Sequence, residues 1–124
     1  MSFDEMLRAY RLEGRTLVAL FETAEVMKLR FDLYNGDDPQ RYKDGMVYLL
    51  DVSVRHEQFR IADGAGARLH ETFSADILRA ELAGDELRLV ADCSFYATKD
   101  RDVITIELTG DTVELKEYPP SSQS

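Results

Sequence analysis

The chain has 124 residues, of which 44% are hydrophobic, so it has the length of one soluble domain with one core. Its 24 acidic and 15 basic residues give a net charge of −9, which argues against sequence-independent nucleic-acid binding, because that binding depends on lysines and arginines that neutralise phosphates. The sequence contains no apolar run of roughly 18 residues and begins with an acidic segment rather than a signal peptide, so we expect a cytoplasmic protein without a membrane partner.

The first predicted element is a short amphipathic helix. Ser2 and Glu5 have the spacing of a capping box, in which each side chain satisfies a backbone amide of the first turn. Apolar residues then recur at helical spacing, which predicts a helix from Phe3 to Arg11, and Gly14 ends the unit.

The next segment fits two periodicities. Strict alternation of apolar and polar residues from Met27 to Tyr34 favours a hairpin with strands Leu17–Glu22 and Val26–Tyr34. Because both faces of the first strand are apolar, we expect that strand to be central. The alternative is a helix from Leu17 to Lys28.

The middle of the chain predicts a long loop and several strands. Residues 35–45 consist of turn-forming residues and form the one long loop. Up to Val54 the alternating apolar residues occupy even-numbered positions, whereas Phe59 and Ile61 occupy odd-numbered ones. We therefore expect a turn or bulge at Arg55–Glu57, where the pattern changes. The predicted strands are Met46–Val54, Phe59–Ala62 and Arg68–Phe73, with a turn at Asp63–Gly66 between the last two.

The last third predicts a four-stranded antiparallel meander from Asp76 to Tyr118. Its turns are Gly84–Asp85, which suits a type II′ hairpin, then Thr98–Arg101, then Gly110–Asp111. These turns pair Leu82 with Leu87, Phe95 with Ile104 and Leu108 with Val113. All three registers place the same residues on one dry face: Leu78, Ala80, Leu82, Leu87, Leu89, Ala91, Cys93, Phe95, Ile104, Ile106, Leu108, Val113 and Leu115.

These elements predict a mainly β (α+β) fold. The expected architecture is an antiparallel β-sandwich or a highly curved sheet of about eight strands, with one short N-terminal helix. Residues 1–118 form a single domain, and residues 119–124 form a disordered tail. Cys93, the one cysteine, is expected to be a buried core residue.

No recognisable motif predicts catalysis or a cofactor. The weak candidates for a metal site are His56, Glu57, His70 and Glu71, which occur in two His-Glu-x-Phe segments. A tight turn between them would point the two histidines to opposite faces, whereas a five-residue loop would set them opposite each other. We therefore expect neither a bound metal nor an enzyme.

Tyrosines interleaved with carboxylates predict a protein-binding surface. Tyrosine supplies contact area at low entropic cost, and carboxylates steer a basic partner. The predicted partner-binding residues are Tyr34, Asp37, Asp38, Tyr42, Tyr48 and Tyr96.

The opening Phe-x-x-x-Leu helix at Phe3–Leu7, followed by a strand hairpin and a meander in a small acidic chain, resembles the immunity proteins of bacterial polymorphic toxin systems. That resemblance implies a cytoplasmic inhibitor that masks the active site of a basic toxin, with carboxylates in place of the substrate's negative charge. The second function that the sequence allows is a small-ligand-binding, β-barrel-like domain with no catalytic activity.

Overall fold

The computed structural model describes residues 2–34, 47–62 and 72–118. All strand pairs are antiparallel, and the strand order β1-β2-β3-β6-β5-β4 runs around a closed barrel. The prediction of a mainly antiparallel β fold with one N-terminal helix is confirmed. None of the helical residues in these segments forms a helix long and apolar enough to cross a membrane. The elements are α1 (Phe3–Ala9), β1 (Thr16–Glu22), β2 (Val26–Tyr34), β3 (Val47–Ala62), β4 (Phe73–Ala83), β5 (Glu86–Phe95) and β6 (Asp100–Tyr118).

Helix α1 begins with the predicted capping box. The Glu5 amide donates to the Ser2 hydroxyl at 3.1 Å, and the Ser2 amide donates to the Glu5 carboxylate at 3.2 Å. The helix buries Phe3 and Met6, and it ends when Tyr10 becomes extended. It is therefore two residues shorter than predicted.

Strands β1 and β2 form the predicted hairpin, so the alternative helix over Leu17–Lys28 is wrong. The amide of Thr23 donates to the carbonyl of Val26 at 2.8 Å and closes the turn. The expectation that β1 is central holds only at its start. It pairs along its length with β2, but with β4 only through Thr16 and Leu17.

Two long strands replace four predicted short ones, so the described residues form six strands rather than about eight. Strand β3 continues through the predicted parity change, where its pairing register with β6 skips Glu57. On β6 the register skips Asp111, so the predicted Gly110–Asp111 hairpin is wrong and the turn chemistry marks a bulge instead. A Cβ at Gly110 would lie 2.6 Å from the Arg55 carbonyl oxygen, so only glycine allows this close approach of β6 to β3.

Strands β4 and β5 form the predicted hairpin near its turn. Gly84 has a φ of +68°, and Leu82 pairs with Leu87 as expected. Further along, a bulge shifts the β4 register between Ile77 and Arg79. The bulge buries Ile77 and leaves Leu78 56% exposed, so the prediction that Leu78 belongs to the dry face is wrong.

The β5–β6 loop lies two residues earlier than predicted, which shifts the pairing of the two strands by four residues. The loop is residues 96–99, and Phe95 pairs with Asp100 rather than with Ile104. An even shift keeps every side chain on its predicted face. Accordingly Cys93, Ile104 and Ile106 are buried, as expected.

The described core is one cluster of apolar side chains that come from all six strands and from α1. Beyond Leu108, β6 pairs with β3 and no longer with β5, and α1 lies beside that part of the strand. Phe3 lines a pocket together with Val113, and the Tyr10 hydroxyl donates to the Glu117 carboxylate. The predicted strand at Arg68–Phe73 is described only from Thr72 onward, and the tail 119–124 lies outside the described residues.

Candidate protein-binding surface

Three carboxylates lie in one row across the outer face of the barrel. Asp32 on β2 pairs with Thr16 on β1, Thr16 pairs with Asp76 on β4, and Asp76 pairs with Asp92 on β5. Their chain neighbours point into the core, so these side chains point outward. Adjacent strands are about 4.8 Å apart, so the three carboxylates span about 15 Å. We call Asp32, Asp76 and Asp92 the acidic row.

Few positive charges of the described residues neutralise the acidic row. Asp76 and Asp92 are like charges directly opposite each other, an arrangement that destabilises an antiparallel pair. Asp76 accepts a hydrogen bond from the Thr16 hydroxyl at 3.2 Å, and Asp92 accepts one from Arg101. Among the residues that the structure describes, Arg101 is the one cation that forms an ion pair with the row.

Asp32 is half-buried, as Asp92 is, but it differs from the other two carboxylates because its side chain has no hydrogen-bond partner among the described residues. Burial raises the pKa of the Asp32 carboxyl above its usual value, since desolvation disfavours the charged form. No side chain in the described segments forms a hydrogen bond or an ion pair with it. A cation brought by a partner would therefore interact with a partly desolvated charge, where electrostatic attraction is stronger than in water.

Exposed apolar side chains flank the acidic row. Val103 pairs with Asp92 and is 50% exposed, and Leu78 follows Asp76 by two residues and is exposed because of the β4 bulge. Half-buried Val90 lies on the outer face of β5, between the β6 strand of Val103 and the β4 strand of Leu78. Tyr96 is 58% exposed in the loop at the same end of the barrel. Apolar and aromatic contact area beside charge is the composition typical of protein interfaces.

A second polar cluster lies on the outer face of β2, β3 and β6. Arg30 donates from Nε and Nη2 to the two carboxylate oxygens of Asp51, at 2.7 and 3.0 Å. Asp51 is only 2% exposed, although its neighbours Leu50 and Val52 are the residues that point into the barrel. The guanidinium carbon of Arg30 lies 5.7 Å from the ring centre of Phe21 and 5.6 Å from that of Tyr118.

This cluster holds its charges in place through mutual contacts. The hydrogen bond from Arg30, together with smaller contributions from Lys28 and Tyr118, holds the pKa of the Asp51 carboxyl below its usual value. The same ion pair raises the pKa of Arg30. Because Arg30 on β2 and Asp51 on β3 already pair with each other, the cluster connects these two strands. It leaves little unpaired charge for a binding partner.

The predicted site residues have different outcomes. Tyr96 is exposed, as a binding residue must be, whereas Tyr48 is 6% exposed and belongs to the core, so we remove it from the candidate surface. The side chains of Tyr34, Asp37, Asp38 and Tyr42 lie outside what the structure describes, as do those of His56, Glu57, His70 and Glu71. Within the described segments, no three His, Cys, Asp or Glu side chains are grouped so that they could hold a metal ion.

Sequence reasoning did not find Asp32, Asp76 and Asp92 as one group. Asp92 was predicted on the outer face, but the predicted register paired Asp76 with Cys93 on the dry face. The β4 bulge pairs Asp76 with Asp92 instead and turns Asp76 outward. Their proximity to Asp32 depends on the contact between β1 and β4, which join residues 60 positions apart. No local pattern could reveal that contact.

In comparisons with known proteins, the chain matches no family model, no curated protein and no solved structure.

Proposed function

We propose that this protein is an inhibitor that binds and neutralises a basic protein, as immunity proteins do for bacterial toxin domains. The observation that carries the proposal is the acidic row, in which three outward-facing carboxylates share one cation among the described residues. The exposed Leu78 and Val103 beside it supply apolar area that a partner would bury.

The proposed mechanism separates steering from anchoring. The net charge of −9 attracts a basic partner over a distance set by ionic strength, and the acidic row orients it. Carboxylates that occupy a basic substrate cleft replace the negative charge of the substrate and block access to the cleft. The apolar contacts then slow dissociation, because most differences in affinity reside in the dissociation rate.

Other parts of the proposal remain predictions. The partner is a toxin or effector with a basic cleft, and the complex forms in the cytoplasm without nucleic acid, membrane or cofactor. The loop residues Asp37, Asp38 and Tyr42 are expected to extend the binding surface. A toxin domain as partner follows from the resemblance to immunity proteins, whereas the basic character of the partner follows from the charge.

The alternative function, binding of a small apolar ligand, requires an internal cavity. The described buried residues form one apolar cluster, and two described pockets, of about 250 and 190 Å³, lie beside α1 and the residues that follow it. Pockets that bind drug-sized ligands are usually about 300–1,000 Å³. Titration with a hydrophobic dye distinguishes the two functions, since only a ligand-binding barrel should take up the dye with saturation.

The test is stopped-flow association with the toxin domain encoded beside this gene. Electrostatic reach falls from about 30 Å at 0.01 M to about 8 Å at 0.15 M ionic strength. We expect association to slow across that range while dissociation changes less. Replacing both Asp76 and Asp92 with Asn should slow association further at low salt.

A matched control removes two charges elsewhere. Glu22→Gln with Glu25→Gln produces the same net charge, but these exposed residues lie at the far end of the β1–β2 hairpin. If the control slows association as much as the Asp76 and Asp92 replacements do, the acidic row has no specific role. Association rates independent of salt and of both double variants would contradict the proposed function.

A further inference from the structure

A pocket of about 250 Å³ lies between the first turn of α1 and the tip of the β4–β5 hairpin, at the opposite end of the barrel from Tyr96. Its apolar side is formed by Phe3 and Val113, which are 5% and 4% exposed, and by the partly buried Leu82. Ser2, Gly84 and Gly110 complete the lining together with two carboxylates, Asp4 and Asp85.

The two carboxylates are available to a cation from outside the chain. Asp85 forms no ion pair or hydrogen bond with any side chain that the structure describes. Asp4 pairs with Arg8 at 2.7 Å, but both side chains are more than half exposed, and exposed pairs of this kind contribute little energy. A Cβ at Gly84 would meet no atom within 4 Å, so there is open space beside Asp85.

The size and the lining of the pocket restrict what can occupy it. The pocket is smaller than the roughly 300–1,000 Å³ of sites for drug-sized molecules. An apolar wall beside exposed carboxylates matches an alkyl chain that ends in a cation. Lysine and arginine side chains have this form, because an aliphatic stem packs on apolar surface while the charged end stays at the rim.

We infer that this pocket binds one arginine or lysine side chain of a protein partner, with the stem against Phe3, Leu82 and Val113 and the cation at Asp85. This inference deepens the proposed function, because it rests on the partner being basic, and it adds a second contact at the end of the barrel away from Tyr96. Asp85 is the specificity-determining residue, since it is the unpaired carboxylate of the lining.

The experiment is an NMR titration of the isotope-labelled full chain with N-acetyl-arginine amide. We expect saturable shifts at the amides of Gly84, Asp85 and Gly110. The citrulline derivative has nearly the same shape without the charge, and it should bind roughly tenfold more weakly, the difference expected for loss of a charge-assisted hydrogen bond. Asp85→Asn should weaken arginine binding by a similar factor.

Asp102→Asn is the matched control, because Asp102 is an exposed carboxylate near the β5–β6 loop, away from the pocket. It should leave arginine binding unchanged. Equal shifts with arginine and citrulline, no shifts at the pocket amides, or full binding by Asp85→Asn would each overturn the inference. If the pocket fails this test while the Asp76 and Asp92 replacements still slow association with the toxin, the proposed function stands without the pocket.

Discussion

At the scale of single residues, Asp51 shows how an outward-facing carboxylate can be buried. Its two oxygens accept two hydrogen bonds from Arg30, and aromatic rings lie near that guanidinium. An isolated charge in such a place would be costly, but a bidentate pair satisfies most of its hydrogen-bonding capacity. Removal of one partner should therefore cost more than removal of an exposed ion pair.

The first prediction compares two Asp→Asn replacements. Asp51→Asn keeps the shape of the side chain and removes its charge, so the free energy of unfolding should fall by about 1.5–3 kcal/mol. Asp4→Asn disrupts the exposed Asp4–Arg8 pair and should cost less than about 1 kcal/mol. Urea denaturation at pH 7 measures the free energy of unfolding of both variants. Equal losses would show that the buried Arg30–Asp51 pair stabilises the fold no more than an exposed ion pair does.

The second prediction concerns pH, because two carboxylates shift in opposite directions. The pKa of Asp51 is lowered by its hydrogen bond with Arg30, so its stabilising effect is present above the unfolded pKa of about 3.9 and is lost as pH falls through the folded pKa. The pKa of Asp32 is raised by burial, so its ionised form destabilises the fold, and this effect disappears as pH falls through the folded pKa to about 3.9.

Urea denaturation at a series of pH values tests these signs. The deficit of Asp51→Asn at pH 7 should shrink as pH falls from about 3.9 through the lower folded pKa, because the native carboxyl becomes neutral only when that lower pKa is passed. Asp32→Asn should be more stable than the native protein at pH 7, and that gain should vanish at acidic pH. A deficit of Asp51→Asn that stays constant into strong acid would contradict the assigned cause.

At the scale of elements, bulges decide which face several side chains occupy. In β4 the register shift between Ile77 and Arg79 moves Ile77 to the inside and Leu78 to the outside. The two residues are adjacent and similar in size, so they form a matched pair for mutagenesis. Their alanine variants report directly on the bulge.

The third prediction is that Ile77→Ala costs about 2–5 kcal/mol, because it leaves a cavity in the core. Leu78→Ala, at a position 56% exposed, should change the free energy of unfolding by no more than about 0.5 kcal/mol. Denaturant midpoints of the two variants measure the difference. The reverse order of destabilisation would mean that β4 runs without a bulge.

At the scale of the whole molecule, the barrel closes through a weak seam. Strand β1 meets β4 at two residue pairs, whereas β3 and β6 pair along 13 residues. The seam is extended by the amide of Gly14, which donates to the carbonyl of Ile77 at 2.8 Å, and by the amide of Ile77, which donates to the carbonyl of Arg15 at 2.8 Å. The acidic row crosses this seam, so its geometry depends on the weakest contact between neighbouring strands.

The fourth prediction is that the seam opens before the rest of the barrel. Amide hydrogens of Gly14 and Ile77 should exchange with solvent at least about tenfold faster than those in the centre of β5, which is paired on both sides, because local opening costs less than global unfolding. Native-state hydrogen exchange followed by NMR measures this difference. Equal protection across the molecule would show that the barrel opens only as one unit.

The candidate surface was only partly accessible to sequence reasoning. The acidity of the chain and the exposure of Tyr96 were predicted, but Tyr48 was placed on the surface although it lies in the core. Tyr48 was assigned to the surface because it lies beside the long loop. Its position in the alternation, on the same face as Leu50 and Val52 and opposite to Asp51, already favours the core.

The sequence by itself determined the local features of this protein: the capping box of α1, the β1–β2 hairpin, the Gly84 turn and the parity change in β3. These depend on residues close in the chain, whose periodicity and turn chemistry act before any long-range contact forms. Only the tertiary structure decided the β5–β6 register, the bulges at Leu78 and Asp111 and the contact of β1 with β4. An alternating pattern is unchanged by a shift of any even number of residues, and a bulge or a seam is stabilised by strands that lie far away in the sequence.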